Sequence, residues 1–142
     1  MRVSAKESIN IRNKIDIKKY FLNMETFYKK WHPDHKEFSF IKKNKEIIGS
    51  EFVNKEKIKN IPLSMRCIII AYSSDFIAWK SKRLKRGGSI RISGKRIVEE
   101  VYYEIPKFLY ILGNIFGFVI TRKDLSKHIR EELRNLKRIV ER

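Results

Sequence analysis

The final stretch of the chain, "LSKHIREELRNLKRIVER" (residues 125–142), constrains the fold most, because it predicts one long amphipathic helix. At about 100° per residue, its apolar side chains form a single stripe and its lysines and arginines lie opposite. The stripe contains Leu125, Ile129, Leu133, Leu136, Ile139 and Val140. Such a helix is stable when its stripe is buried, so the rest of the chain must supply a surface that covers it.

The middle of the chain predicts strands that can form this surface. Its segments are rich in β-branched and aromatic residues that partly alternate with polar ones: "EFSFI", "EIIGSEFVNKEKI", "SMRCIIIAYSS", "FIAWKSKRL", "SIRIS" and "RIVEEVYYEI". A first strand precedes them in "MRVSAKESINI", followed by one or two short helices that break near Asn23 and end before Pro33. We therefore predict a single α+β domain over residues 1–142. A curved antiparallel sheet of about six or seven strands grips the C-terminal helix, with short helices after the first strand.

The segment "FLYILGNIFGFVI" (residues 108–120) is the most apolar part of the chain. It falls short of the roughly 20 residues needed to span a bilayer, so it predicts a buried element, with Phe116 as part of an apolar wall. The start of the chain has no apolar secretory segment, and the single cysteine, Cys67, lies in an apolar run as a core residue. These features predict a cytoplasmic protein without disulfides or a membrane span.

The formal net charge of +17 indicates attraction to an anionic partner. Lysines and arginines are scattered along the whole chain, and only "KSKRLKR" (residues 80–86) forms a cluster. Its alternation with Trp79 and Leu84 predicts a strand with a solvated outer face. We therefore do not expect a nucleic-acid partner, and binding of nucleic acid through residues 80–86 remains the alternative.

Two residues of the predicted final helix indicate chemistry. Glu132 falls inside the apolar stripe, and His128 lies on its edge one turn earlier. A carboxylate that faces an apolar interior is costly unless it is paired or bound to a cation. A His–Glu pair four residues apart offers the imidazole and carboxylate ligands that zinc takes, whereas the simpler alternative is a hydrogen-bonded pair on the helix flank.

A second carboxylate has a similar position on a predicted strand. In "GSEFVNKEKI", strand alternation places Glu56 on one face with Phe52, Asn54 and Ile58, which predicts that it points inward. A bulge would exchange the two faces and bring Glu51 inward instead. The other alternative is a glutamate at the strand end that reaches water.

The other two histidines lie in "FYKKWHPDHKEF" (residues 27–38), three residues apart. If Trp31 ends the short helices, His32 lies at the mouth between helix and sheet. His32, Glu56, His128 and Glu132 would then form a set of two imidazoles and two carboxylates that can hold zinc.

Motifs along nearly the whole chain resemble the START/polyketide-cyclase-like (SRPBCC, helix-grip) superfamily. The resemblance lies in the "WHP" segment after the short helices, in "IIGSEF" and "RIVEEVYYEIP" as strands, and in the final helix. Within it, "FYKKWHPDH" together with "HIREE" is similar to the diacetylphloroglucinol hydrolase and phloretin hydrolase group. Those zinc enzymes cleave the carbon–carbon bond between an aromatic ring and an acyl group.

This resemblance implies zinc as cofactor, with ligands His32, Glu56, His128 and Glu132, and a catalytic role for His35 as proton donor or substrate contact. It implies hydrolysis of an acylated phenolic or polyketide-like compound and a hydrophobic or aromatic small molecule as partner; a homodimer is compatible with it. Side chains expected to contact substrate are Trp31, Phe52, Asn54, Tyr102 and Tyr103. The alternative is a binder or carrier of a hydrophobic molecule without catalysis.

Overall fold

The computed structural model describes residues 1–142 and contains seven strands and four helices. In chain order they are β1 (Arg2–Asn10), α1 (Ile17–Leu22), α2 (Met24–Trp31), β2 (His35–Lys42), β3 (Glu51–Ile58), β4 (Ile61–Ser73), β5 (Phe76–Ser81), β6 (Arg86–Ser93), β7 (Arg96–Glu104), α3 (Lys107–Phe116) and α4 (Arg122–Val140).

The seven strands form one antiparallel sheet in the order β1-β7-β6-β5-β4-β3-β2. The first and second strands of the chain lie at opposite edges, because α1 and α2 cross between them. The sheet curves around α4, which packs against β1, β7 and β3 and also touches α2. The predicted α+β helix-grip architecture is therefore confirmed.

Helix α4 begins with a capping box and buries the predicted stripe except for Ile139 and Val140, which are half-buried. The Thr121 hydroxyl accepts from the Asp124 N–H, and the Asp124 carboxylate accepts from the Thr121 N–H in return. Burying apolar side chains at about 25 cal/mol per Å² is the main force that holds the helix in the sheet. The buried residues of α4 are Leu125, His128, Ile129, Glu132, Leu133 and Leu136.

Only the two ends of the basic cluster 80–86 lie in strands, contrary to its predicted alternation. Strand β5 ends at Ser81 and β6 begins at Arg86, so most of the cluster forms the loop between them. The Ser81 hydroxyl accepts from the N–H groups of Arg83 and Leu84, which favours a turn over a continued strand. The lysines and arginines of this loop consequently extend into solvent.

The prediction that residues 108–120 are buried is wrong. Helix α3 leaves only Gly113 buried, and Ile115 and Phe116 are 70% and 73% exposed. The helix ends at Gly117, whose φ of 74° is the left-handed conformation typical of a helix C-terminus. Only after this turn does the chain return to the core, through Val119 and Ile120. None of the helices is both apolar enough and long enough to cross a bilayer.

Candidate metal and ligand-binding site

A cavity of about 150 Å³ lies between the concave face of the sheet and helices α2 and α4. Its walls are mostly hydrophobic, and Phe52 and Trp31 are among them. Polar groups reach it at a few positions only. A mostly apolar cavity with a few converging polar groups is the usual form of a small-molecule site. The polar or ionisable side chains that border it, beyond tyrosines and Trp31, are His35, Asn54, Glu56, Cys67, Arg86, Glu99, His128 and Glu132.

Four of these groups converge at one side of the cavity. His35 begins β2 and is paired in register with Glu56 of β3, while His128 and Glu132 come from successive turns of α4. Each of the four offers a donor atom within 4.8 Å of the donors of the others. The predicted pairing of Glu56 with the His128–Glu132 couple is thus present, and His35 is the imidazole that joins them.

The distances within this group suit a tetrahedral cation. Donors held tetrahedrally at about 2.1 Å from a zinc ion lie about 3.4 Å from one another. The Nε2 atoms of His35 and His128 lie 3.4 and 3.6 Å from Glu56 Oε2, and His128 Nε2 lies 3.3 Å from Glu132 Oε1. The His35 Nε2 to Glu132 Oε1 distance is shorter, at 2.6 Å, and is that of a short hydrogen bond. The residues therefore fit a zinc ion.

His35 is oriented by groups around it. Its Nδ1 lies 2.9 Å from the main-chain oxygen of Tyr28, to which it donates, so Nε2 is left to face the carboxylates. The Tyr28 ring stacks on the imidazole with centroids 4.0 Å apart, and the Trp31 ring meets it edge-on. Tyr28 and Trp31 both lie on the inner face of α2, so this helix fixes the imidazole before any ligand binds.

Glu56 is held by a short chain of hydrogen bonds. The Asn54 amide donates to the Tyr28 hydroxyl at 3.1 Å, and that hydroxyl donates to Glu56 Oε2 at 3.3 Å. Burial, together with the Glu56 charge, raises the pKa of Tyr28 well above its usual range, so the hydroxyl remains a donor. Asn54, expected to contact substrate, lines the cavity and also positions Tyr28.

The two residues from α4 form a strongly polarised pair. Burial opposes charge on Glu132, but the adjacent His128 and His35 imidazoles outweigh it and hold its pKa well below the usual range. Burial likewise opposes charge on His128, yet the Glu132 and Glu56 carboxylates raise its pKa to about 10. His128 Nε2 nevertheless lacks a well-aligned hydrogen-bond partner. The pair thus combines a buried, negatively charged Glu132 with a buried, positively charged His128. The Nε2 atom of His128 is not fully hydrogen-bonded by protein groups.

Glu99 is a site residue that the sequence analysis missed. It lies on β7, is only 2% exposed, and points at Glu132. Burial raises its pKa well above the usual range and the Glu132 charge adds to this, which favours the neutral carboxyl, and its Oε2 has no hydrogen-bond partner. The signal was available, because strand alternation in "RIVEEVYYEI" places Glu99 on the face of Ile97 and Tyr103.

The structure places His32, the predicted ligand, beside this group rather than in it. Its Nδ1 accepts from the Asp34 N–H at 3.0 Å, so its Nε2 holds the proton and donates to Glu131 Oε2 at 3.1 Å. Both ring nitrogens are thus engaged. Burial and the nearby His128 lower the pKa of His32. Its donor atoms also approach Asp34 and His128, which makes a second, smaller cluster.

The two predicted tyrosines both border the cavity. Tyr103 is buried with a hydroxyl that has no partner, and burial raises its pKa to about 12. Tyr102 is half-buried beside Gly87, with the guanidinium of Arg2 4.1 Å above its ring. Tyr103 therefore has a free hydrogen-bonding group at the cavity wall.

Arg86 was also missed by the sequence analysis, which assigned it to a solvated cluster. Its side chain lines the cavity near the Tyr103 ring, 5.6 Å from the ring centroid, and forms no ion pair. Burial lowers its pKa, which reflects the cost of a guanidinium without a carboxylate. The cavity therefore has a half-buried, unpaired cation in its wall, besides the histidines and carboxylates.

Comparisons with known proteins show the fold. No family model matches the chain, and no curated protein matches it in sequence. The structure is similar to that of KanY, with a TM-score of 0.75 and 14% identity over 100% of this chain and 99% of that one. A START superfamily protein from Mycobacterium smegmatis has a TM-score of 0.66 and 9% identity over 98% of this chain and 97% of its own.

A third similar structure is the di-domain ARO/CYC BexL from the BE-7585A biosynthetic pathway. Its TM-score is 0.69 at 12% identity, and the match covers 96% of this chain but 49% of BexL, so the chain spans about half of that protein. These likenesses confirm the predicted fold. The chain has the helix-grip fold of these proteins.

Proposed function

We propose that this protein binds an aromatic or polyketide-like small molecule in its cavity and hydrolyses an acyl group from it with the help of zinc. The observation that supports the proposal is the convergence of His35, Glu56, His128 and Glu132 within 4.8 Å of one another at the wall of an apolar cavity. His35 takes the ligand position that the sequence analysis gave to His32, because its Nε2 faces the two carboxylates.

When bound, zinc would polarise an acyl carbonyl and lower the pKa of a water molecule towards about 7. Hydrolysis of an acylated ring forms a bond between the water oxygen and the acyl carbon and breaks the bond between the acyl carbon and the ring. The ring carbon keeps the electron pair and must receive a proton. The products are a carboxylic acid and the ring with hydrogen in place of the acyl group.

The chain's own residues would hold the substrate and supply this proton. Phe52 and Trp31 provide an apolar wall that excludes bulk water, while the unpartnered Tyr103 hydroxyl and the unpaired Arg86 suit a phenol or phenolate on the ring. Because His35 is engaged as a ligand, the proton donor is reassigned to Glu99, the neutral carboxyl that borders the cavity beside Glu132.

A binder or carrier without catalysis is the second candidate, and one observation favours it. Glu132 already receives hydrogen bonds or close contacts from His35 at 2.6 Å and His128 at 3.3 Å. The four groups can thus form a buried ion-pair network that needs no metal. In that case the cavity holds a hydrophobic ligand, and the network only fixes the shape of its wall.

Metal content distinguishes these two functions. Protein purified without an affinity tag should contain roughly one zinc per chain, as expected for a single four-ligand site. His35→Ala and His128→Ala should lose it, whereas His32→Ala, the matched histidine control, should retain it. Diacetylphloroglucinol and phloretin serve as trial substrates, with the released phenolic product measured by chromatography.

Zinc without turnover of either compound would leave the metal site supported and this substrate class refuted. Absence of zinc, together with a hydrophobic compound that co-purifies, would replace the hydrolase by the carrier. Loss of zinc in His32→Ala but not in His35→Ala would move the metal to the smaller cluster of His32, Asp34 and His128.

A further inference from the structure

The exposed apolar surface of α3 has no role in the cavity or in the proposed reaction. Between residues 107 and 118, large apolar side chains point into solvent along the whole helix and the turn after it. Contiguous exposed apolar surface of this kind marks a contact with another molecule. Exposures are 63% for Phe108, 43% for Leu109, 49% for Ile111, 45% for Leu112, 70% for Ile115, 73% for Phe116 and 56% for Phe118.

Basic groups surround this helix. The loop of residues 82–85 adjoins the strand that leads into α3, since the Glu104 N–H donates to the Lys85 main-chain oxygen at 2.8 Å. Leu84, at the tip of this loop, is a further exposed apolar residue, at 48%. The exposed cations at this end without an ion-pair partner are Arg83, Lys107, Arg122 and Lys123.

The acidic residues near α3 do not offset this charge. Glu104 lies 3.7 Å from Lys85, and Asp124 lies 3.4 Å from Lys59 while it caps α4. The net potential at this end is therefore positive, as for the whole chain with its charge of +17. We define the basic apolar face as α3, Phe118, the loop 82–85 and the first turn of α4.

We propose that the basic apolar face docks the protein on an anionic phospholipid membrane. Apolar side chains of a short helix insert among the lipid chains while lysines and arginines contact the head groups. A second copy of this chain fits less well, because two faces of the same positive sign repel each other. At ten residues, α3 is suited to lie in the interface rather than to cross the bilayer.

The basic apolar face lies near the cavity, so membrane docking would bring the cavity close to the lipid. Tyr110, the half-buried aromatic residue of α3, packs against the hydrophobic core that includes Tyr103, which lines the cavity. A membrane bound at α3 thus adjoins the Tyr103 side of the cavity. Hydrophobic ligands could then pass between lipid and cavity without crossing water.

Vesicle co-sedimentation tests the proposal on the full chain. We expect binding to vesicles of equal parts phosphatidylcholine and phosphatidylglycerol, little binding to phosphatidylcholine alone, and weaker binding as salt is raised. The double substitution Ile115→Ser and Phe116→Ser should weaken binding by more than about tenfold. Its control, Ile41→Ser with Ile70→Ser, removes two apolar residues elsewhere on the surface, each 48% exposed, and should bind as the native chain does.

A charge-matched pair of variants tests the electrostatic part. Substituting glutamine for Arg83, Lys107 and Lys123 should weaken binding and flatten its dependence on salt. The same substitution at Lys14, Lys18 and Lys45, which lie away from α3, removes equal charge and should have a smaller effect. Circular dichroism and melting temperature confirm that each variant is folded.

Three results would overturn the proposal. One is absence of binding to anionic vesicles. Another is a native protein that is dimeric and does not bind vesicles, and that becomes monomeric when Ile115→Ser and Phe116→Ser are combined. The basic apolar face would then be an interface between two copies of the chain. The third is equal loss of vesicle binding in the test and control variants, which would indicate attraction through net charge alone.

Discussion

The indole N–H of Trp31 donates to the main-chain oxygen of Glu132 at 3.1 Å, across 101 positions of sequence. The bond joins the last residue of α2 to Glu132 in the middle of α4. The carboxylate of Glu132 is one of the four groups that converge with His35, Glu56 and His128, which we call the donor group. His35 packs edge-on against the same indole. One side chain thus fixes both helices and one of the proposed metal ligands.

Trp31→Phe should lower the free energy of unfolding by about 1–2 kcal/mol, because it removes the buried hydrogen bond between the Trp31 indole and the Glu132 main-chain oxygen. Urea unfolding followed by circular dichroism measures this. Trp79→Phe serves as control, since that half-buried indole makes no side-chain hydrogen bond and its loss should cost less. Equal effects in both variants would show that packing, rather than the hydrogen bond, determines the cost.

Filling the cavity should weaken ligand binding while leaving His35, Glu56, His128 and Glu132 in place. Val101→Trp places a large ring in the cavity wall at a half-buried position of β7. We expect the affinity for a fluorescent hydrophobic probe to fall by roughly tenfold or more, as a ring takes the volume that the probe needs. Ile70→Trp, at an exposed position of β4, should leave probe affinity unchanged. Unaltered probe binding in Val101→Trp would place the ligand outside this cavity.

Glu99→Gln should retain zinc and lose turnover, because glutamine keeps the shape of the neutral carboxyl but has no proton to transfer. A loss of about a hundredfold in kcat is typical of a missing general acid. Glu100→Gln, on the opposite face of β7, is the matched control and should keep the native rate. If Glu99→Gln turned over substrate at the native rate, Glu99 would be a structural partner of Glu132 only.

The turn between β3 and β4 can be stabilised by a single substitution. Lys59 and Asn60 occupy the left-handed region, with φ of 53° and 62°, which glycine adopts without steric cost. Asn60→Gly should raise the free energy of unfolding by roughly 0.5 kcal/mol. Gly94→Ala, at a φ of 59° in the β6–β7 turn with open space around it, should lower it by about 1 kcal/mol. Urea midpoints that shift in the opposite directions would contradict this backbone argument.

The sequence predicted those parts of the fold that depend on periodicity. The stripe of α4, the alternation that turns Glu56 inward and the break at Asn23 are all local patterns, and the structure follows each of them. Glu132 was recognised because a charged residue interrupts an apolar stripe. A buried charged residue can thus be recognised from the sequence when it lies in a helix or strand with a regular apolar pattern.

What the sequence did not predict depends on hydrogen bonds and long-range packing. Whether His32 or His35 faces Glu132 is decided by the Asp34 N–H and the Tyr28 oxygen, two backbone groups that no side-chain pattern reports. The exposure of α3 was missed for a related reason. Its apolar composition predicts burial, but the fold provides no surface that covers Phe116.

The donor group draws on both halves of the polypeptide, with two members from neighbouring strands and two from the last helix. During synthesis, a nascent chain has the first two long before the ribosome completes α4. Until those final residues are made, Glu56 and His35 lack the two partners that come from α4. Assembly of the four groups, and closure of the pocket, are therefore tied to completion of α4.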